Sequence, residues 1–288
     1  MRRLMLLILA CAIMLPSLAQ AYDVLVLQSR RDPAYDEALK GFNASYPASQ
    51  RLLIMSDYAE IDLIRIVRED HPRLILAVGD SALSAARKIH QIPVISLMAL
   101  GIHNRTSQSS NLSGVGMYVS PEPYMSLFQQ MKVVRVGVVY DPAKSGWYIR
   151  EARQAAQRLG IKLVLREITS SRQTFSSLYS MSGRIDALWM LPDTTAVSRE
   201  TAEAYFRFGQ EQNIPLVSFA NAYLGLGAAV VFDLDRSELG KQAAGIAAKV
   251  LEGEKADSNP LYPRKNRLKS NPAILRNLGI IISSSNSD

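Results

Sequence analysis

The stretch Arg73-Leu74-Ile75-Leu76-Ala77-Val78, followed at once by Gly79-Asp80 and the alanine-rich segment Ser81–His90, decides the fold class. Five apolar residues in a row have no period-2 alternation, so such a strand is covered on both faces. The helical segment behind it then returns the chain for another strand in the same direction. The pattern repeats outward on both sides. Asp23–Gln28 (DVLVLQ) precedes a helical Pro33–Tyr46, and Arg51–Met55 precedes a helical Ile61–Glu69. Pro93–Leu97 and Gly114–Tyr118 read as the fourth and fifth strands. Strict alternation of strand and helix indicates a parallel sheet with helices on both faces.

The alternation then restarts. Pro121–Lys132 reads as a helix, Arg135–Tyr140 (RVGVVY) as a strand, and Trp147–Leu159 as a helix ending at Gly160. Lys162–Glu167, Asp186–Leu191 (DALWML) and Pro215–Phe219 continue as strands, with helices over Arg172–Met181 and Thr201–Gln212. Ala228–Phe232 adds a strand and Glu238–Leu251 a helix, and Asn259–Ile282 remains as a tail. The reading is therefore α/β, with two Rossmann-like lobes of parallel sheet and a central cleft. Lobe 1 spans 22–120, with about 233–260 returning to it. Lobe 2 spans 121–232, with a tail of about 261–288. Crossovers are expected near Ser120, Phe232–Asp235 and Asn259–Pro263. In open parallel sheets ligands bind beyond the carboxyl ends of the strands, so the cleft is the expected site.

The amino terminus has the order of a secretory signal over residues 1–21. Arg2 and Arg3 start it, Leu4–Leu15 form a short apolar run, and Ala19-Gln20-Ala21 supplies small residues before a cut. The run is about a dozen residues, below the ~20 of a spanning helix. The mature chain then begins at Tyr22 and acts in the periplasm. Cleavage removes Cys11, the single cysteine, and lowers the formal charge from +7 to +5. Ile8-Leu9-Ala10-Cys11 fits a lipoprotein box poorly, so lipid anchoring at Cys11 is not expected. Without cysteine the mature chain has no disulfide and no thiolate chemistry.

The positive charge is diffuse apart from Arg264–Lys269, which reads as a solvated face, so nucleic acid is not expected as a partner. His71, His90 and His103 are scattered, without carboxylates at ligand spacing, which argues against a metal. No phosphate loop of the G-x-x-x-x-G-K type occurs, and no cofactor is expected.

From Arg73 to Ile282 the order of pieces resembles the substrate-binding proteins of ABC transporters, in the group that includes aromatic amino-acid binders. The pieces are Arg135–Pro142 (RVGVVYDP), Leu159-Gly160-Ile161, Leu191–Ser198 (LPDTTAVS), Ile214–Val217, Gly227-Ala228-Ala229, Glu238–Ala243, Ala248–Glu254, and the closing Asn271 and Leu278-Gly279-Ile280. The resemblance implies a type I periplasmic-binding-protein architecture with three crossovers. It further implies a monomeric receptor that closes on a small solute, such as an amino acid, and hands it to a membrane permease with a separate ATPase. The alternative is a sensory module that presents its closed form to a membrane signalling protein. Two departures bear on the ligand: the family usually has Asn where Asp141 stands, and Gly where Asp233 stands.

Candidate ligand contacts lie at the carboxyl ends of strands. Gln28 and Ser29 follow the first, Asp80 and Ser81 the third, and Asp141 and Trp147 the strand 135–140. Asp193, Thr194 and Thr195 follow 186–191, Asn221 and Tyr223 follow 215–219, and Asp233 follows 228–232. Asp193 can cap a helix or hold an ammonium group, and Thr194 and Thr195 can offer hydroxyls and N–H groups to a carboxylate. Trp147 can stack on a ring. Gly79-Asp80-Ser81 also matches the nucleophile block of GDS-type esterases. That chemistry needs a histidine to activate the serine, and the family's Asp-x-x-His near the C-terminus is absent, so no enzyme is expected.

Overall fold

The computed structural model describes residues 22–104, 111–255 and 259–282. The expected signal peptide, residues 1–21 with Cys11, and the serine-rich end 283–288 lie outside the described residues. The first sheet is built from β1 (Val24–Gln28), α1 (Pro33–Ser45), β2 (Gln50–Ile54), α2 (Leu63–Asp70), β3 (Leu74–Val78), α3 (Asp80–Ala86), β4 (Val94–Leu97) and β5 (Leu112–Gly114). Its strand order is β2-β1-β3-β4-β5, all parallel. Every residue of β1, β3 and β4 is buried, as their unbroken apolar runs require. The expected strand over 114–118 ends at Gly114. Val115 instead leaves the sheet to bridge Leu261, where the chain crosses between the two halves.

The second half contains α4 (Pro121–Gln130), β6 (Arg135–Tyr140), α5 (Pro142–Arg158), β7 (Lys162–Glu167), α6 (Thr174–Tyr179), β8 (Ala187–Trp189), α7 (Arg199–Glu211), β9 (Leu216–Ser218) and β10 (Val230–Leu234). Then come α8 (Arg236–Leu251), β11 (Asn266–Ser270) and α9 (Pro272–Asn277). The second sheet has the order β11-β10-β9-β8-β6-β7, with β11 alone antiparallel. Its core centres on Trp189, which is fully buried with its ring 4.8 Å from that of Tyr124 and 5.7 Å from that of Tyr148. α8 leaves the second sheet and packs on α1 and β4 of the first, so its apolar stripe (Leu239, Ala243, Ala247) completes the core of the first half.

Further differences from the sequence reading occur at the start of α5 and in the tail. The helix expected from Trp147 begins at Pro142, because Asp141 accepts the Ala143 N–H at 2.9 Å and a proline follows at the first helical position. The tail contains an edge strand, β11. Lys269 pairs with Asp233 at 2.8 Å and Arg267 with Asp235 at 3.3 Å, so the basic run 264–269 is partly neutralised by β10 and its following turn.

Candidate functional site

The carboxyl ends of β3, β4, β6 and β8 face one another across a cavity of about 220 Å³. From the first sheet it is lined by Asp80, Leu100, Gly101 and Asn104, and from the second by Lys144, Pro192 and Thr194, with Tyr118 of the crossover between them. Gly79 makes the turn into this site. Its φ is +87°, and a Cβ there would stand 2.4 Å from the Tyr35 hydroxyl and 2.7 Å from Ser29 Oγ, so only glycine fits. Ser29 Oγ donates to the Val78 carbonyl and accepts from the Ala82 N–H, which makes Ser29 the cap of α3. Neither Asp80 nor Ser81 caps this helix. Asp80 instead accepts from Gly101 N–H (2.7 Å) and Leu100 N–H (3.3 Å), one to each oxygen. A carboxylate has about four accepting positions, so two remain open toward the cavity.

Across the cavity, Asp193 is in the opposite condition. It is 1% exposed, and its Oδ1 accepts from the N–H groups of Thr195 (2.9 Å) and Ala196 (3.0 Å). Its Oδ2 accepts from Asp141 N–H (2.8 Å) and from Ser145 Oγ. With its accepting positions filled by the chain itself, Asp193 organises the rim, and holding an ammonium group would require giving one of these bonds up. The N–H groups of Thr195 and Ala196 are therefore not free, and no helix starts there: α7 begins at Arg199, capped by Ser198. This corrects the expectation that Thr195 offers its N–H to a ligand carboxylate, since that N–H is held by Asp193. Thr195 Oγ1 donates to Asp141 Oδ2 at 2.7 Å, while Thr194 lines the cavity and is exposed to it.

Tyr118 ties the two sides, its hydroxyl donating to the Pro192 carbonyl at 2.9 Å. Burial first, then the nearby Asp193 and Asp80 carboxylates, holds this hydroxyl far above its ordinary pKa, so it remains a donor. Trp147 does not face the cavity as an open ring. It stacks on His103, from the turn after β4, with centroids 3.5 Å apart and planes at 12°. Both Trp147 Nε1 and His103 Nε2 are buried without a partner. Burial pulls His103 down to about 4.

That depression predicts a pH dependence. The neutral imidazole is favoured in the fold, so the unfolded chain takes up the proton first as pH falls below about 6.5. The stabilisation is present above that value and is lost as pH falls toward 4. Between pH 7.5 and 5 the loss is about 2 kcal/mol. Urea unfolding of the protein and of H103Q at both pH values checks this, since the variant should lose about that much less.

The remaining sequence candidates lie elsewhere. Gln28 is buried, and its Nε2 donates to the Arg30 carbonyl at 2.7 Å. Tyr223 packs on Phe206 and Phe219 of the second sheet's other face, and Asn221 is exposed beside it. Asp233 is neutralised by Lys269, so the acidic group expected near the cleft finds its cation within the chain. Ser81 is exposed and hydrogen-bonds to no histidine among the described residues. The sequence reading missed Lys144, Asn104, Tyr118 and His103. Lys144 was findable from Asp141-Pro142, the cap that places it in the first turn of α5.

Among the described residues, no helix is long and apolar enough to cross a membrane, and no group of His, Cys, Asp and Glu is arranged to hold a metal. A curated relative, the tyrosine-binding protein of Clostridioides difficile (strain R20291), is 23% identical over 251 residues, covering 80% of this chain and 72% of the relative. The fold is similar to a ligand-free, open substrate-binding protein with adhesive properties from Clostridium difficile. The TM-score is 0.68 at 20% identity, over 91% of this chain and 96% of that one. It is also similar to an ABC domain in complex with L-Trp from Streptococcus pneumonia, with TM-score 0.65, 19% identity and the same coverage. The family of ABC transporter substrate binding proteins matches residues 37–287, nearly the whole chain, and the chain belongs to that family.

Proposed function

We propose that the chain is an exported receptor that captures an amino acid in the cleft between its two sheets and delivers it to a membrane permease driven by a separate ATPase. The observation that carries this reading is the pair Asp80 and Lys144. They stand on opposite sides of one small cavity, carry opposite charges, and make no ion pair with each other or with another residue among those described. A zwitterion meets both needs. Its ammonium group reaches the two open positions of Asp80, and its carboxylate reaches Lys144 and the Thr194 hydroxyl. At about 220 Å³ the cavity lies below the ~300–1,000 Å³ of drug-sized ligand sites, which favours a single amino acid over an oligomer. Tyr118 supplies an aromatic wall, and the names of the relatives point to tyrosine and tryptophan.

The mechanism is differential contact. A ligand that touches Asp80 in lobe 1 and Lys144 in lobe 2 stabilises the arrangement that brings them together, and no covalent bond changes. In this reading lobe 1 comprises 22–120 and about 233–260, lobe 2 the rest, and the hinges lie near Ser120, Phe232–Asp235 and Asn259–Pro263. Isothermal titration with tyrosine, tryptophan, phenylalanine and glucose tests the substrate class. Saturable binding of one or more of the amino acids and none of glucose is expected. Binding of glucose alone would overturn the assignment while leaving the family membership intact.

A further inference from the structure

A second cavity, of about 360 Å³, lies between β5, α8 and the segment Asn259–Arg264. It shares no lining residue with the cleft. Four cations line it, Lys241, Lys249, Lys255 and Arg264, against a single carboxylate, Glu254. Lys241 is paired with Glu238 at 2.7 Å, and Lys249 stands 4.0 Å from Glu254. The side chains of Lys255 and Arg264 make no ion pair among the described residues.

An independent observation sits in its wall. Ser113 is 3% exposed, and its hydroxyl has no hydrogen-bond partner. Its strand neighbour Ile95 belongs to the core formed with Leu239, Ala243 and Ala247 of α8. Directly paired residues of neighbouring strands share a sheet face, so the Ser113 hydroxyl is on the α8 side, where the cavity is. A buried hydroxyl without a partner carries an uncompensated desolvation penalty, and a ligand acceptor in the cavity removes it.

The site is preformed. Gln242 of α8 accepts from the Arg264 N–H at 3.1 Å and donates to the Tyr262 carbonyl at 2.9 Å. Leu261 N–H donates to the Gly114 carbonyl at 2.9 Å. The segment bearing Arg264 is thus pinned to both α8 and the end of β5 before any ligand arrives.

We propose that this cavity binds a small multivalent anion of the phosphate-ester or polycarboxylate class, with the Ser113 hydroxyl donating to it and Lys249, Lys255 and Arg264 countering its charge. A monovalent ion would leave most of the volume and charge unused. Because the site joins α8 to the segment entering β11, occupancy would brace the crossover between the two sheets.

Isothermal titration of the purified protein with inorganic pyrophosphate and with citrate, at low and at physiological salt, tests this. Saturable one-site binding of at least one probe is expected, weaker at the higher salt. R264Q should weaken it about tenfold. S113A should weaken it about fivefold, with the ligand-free melting temperature unchanged or raised, since the deleted hydroxyl has no partner in the protein. Excess tyrosine should leave the stoichiometry unchanged. The proposal is overturned if neither probe binds saturably at low salt, if both variants bind as the parent does, or if S113A lowers the ligand-free melting temperature. Competitive displacement of the anion by tyrosine would overturn it too, by placing the anion in the cleft, whereas failure of tyrosine to bind at all would bear on the amino-acid reading alone.

Discussion

Replacing Asp80 with alanine is expected to weaken amino-acid binding by about 100-fold. Removing one member of a desolvated charge pair costs about 2–5 kcal/mol, and about 2.7 kcal/mol corresponds to that factor. Among the described residues Asp80 is the only carboxylate lining the cleft cavity, so none of those neighbours can substitute for it. The variant has a second consequence, because the N–H groups of Leu100 and Gly101 lose their acceptor. A loss of about 1 kcal/mol in stability is expected from that alone, partly relieved by water at this solvent-facing position. The two effects separate by ligand chemistry. N-acetyltyrosine lacks the ammonium group and tyramine lacks the carboxylate. In the parent both should bind far more weakly than tyrosine. D80A should lose its preference for tyrosine over N-acetyltyrosine, and K144Q its preference for tyrosine over tyramine. Were D80A to bind tyrosine within about threefold of the parent, Asp80 would be a loop support only.

The same residues show how much of this could be read in advance. Asp80 and Thr194 were findable because both follow fully apolar strands, and the end of such a strand in a parallel sheet is where the cleft must open. The type of partner each would find was not legible. Asp193 looks as free as Asp80 in the sequence, yet four donors converge on it, two from its own turn and two from around the start of α5, about fifty residues away in the chain. Trp147 was placed near the cleft edge, but its stacking on His103 is a long-range contact between a helix and an irregular turn, which no periodicity encodes. β11 was hidden for a different reason. Asn266–Ser270 is a charged edge strand, and its Lys and Arg residues suppress the apolar signal on which strand recognition rests. They are tolerated because Asp233 and Asp235 face them.

Replacing Gly240 with alanine should destabilise the protein by about 4 kcal/mol or more, beyond the usual ~1–3 kcal/mol of overpacking, because the obstructing atoms are backbone. A Cβ at Gly240 would stand 1.8 Å from the Ala38 carbonyl oxygen and 2.7 Å from the Phe42 nitrogen. From the other side, a Cβ at Gly41 would stand 2.0 Å from the Ser237 carbonyl oxygen. α1 and α8 therefore touch backbone to backbone, and no rotamer change can make room. Alanine favours an isolated helix over glycine by about 1 kcal/mol, so propensity alone predicts the opposite sign. Gly245 on the same helix supplies the control, because a Cβ there meets nothing within 4 Å. G245A should be neutral or stabilising by up to about 1 kcal/mol, while G240A should lower the melting temperature by about 10 °C. Equal melting temperatures for the two variants would show that the seam can part without cost. The seam also bears on function. β10 belongs to the second sheet and α8 to the core of the first, so the close approach of Gly41 to Ser237 and of Gly240 to Ala38 anchors one of the chain's passages between the two halves. A variant that loosens it should lose ligand-induced stabilisation as well as intrinsic stability, because a ligand spanning Asp80 and Lys144 depends on the two sheets keeping their relation.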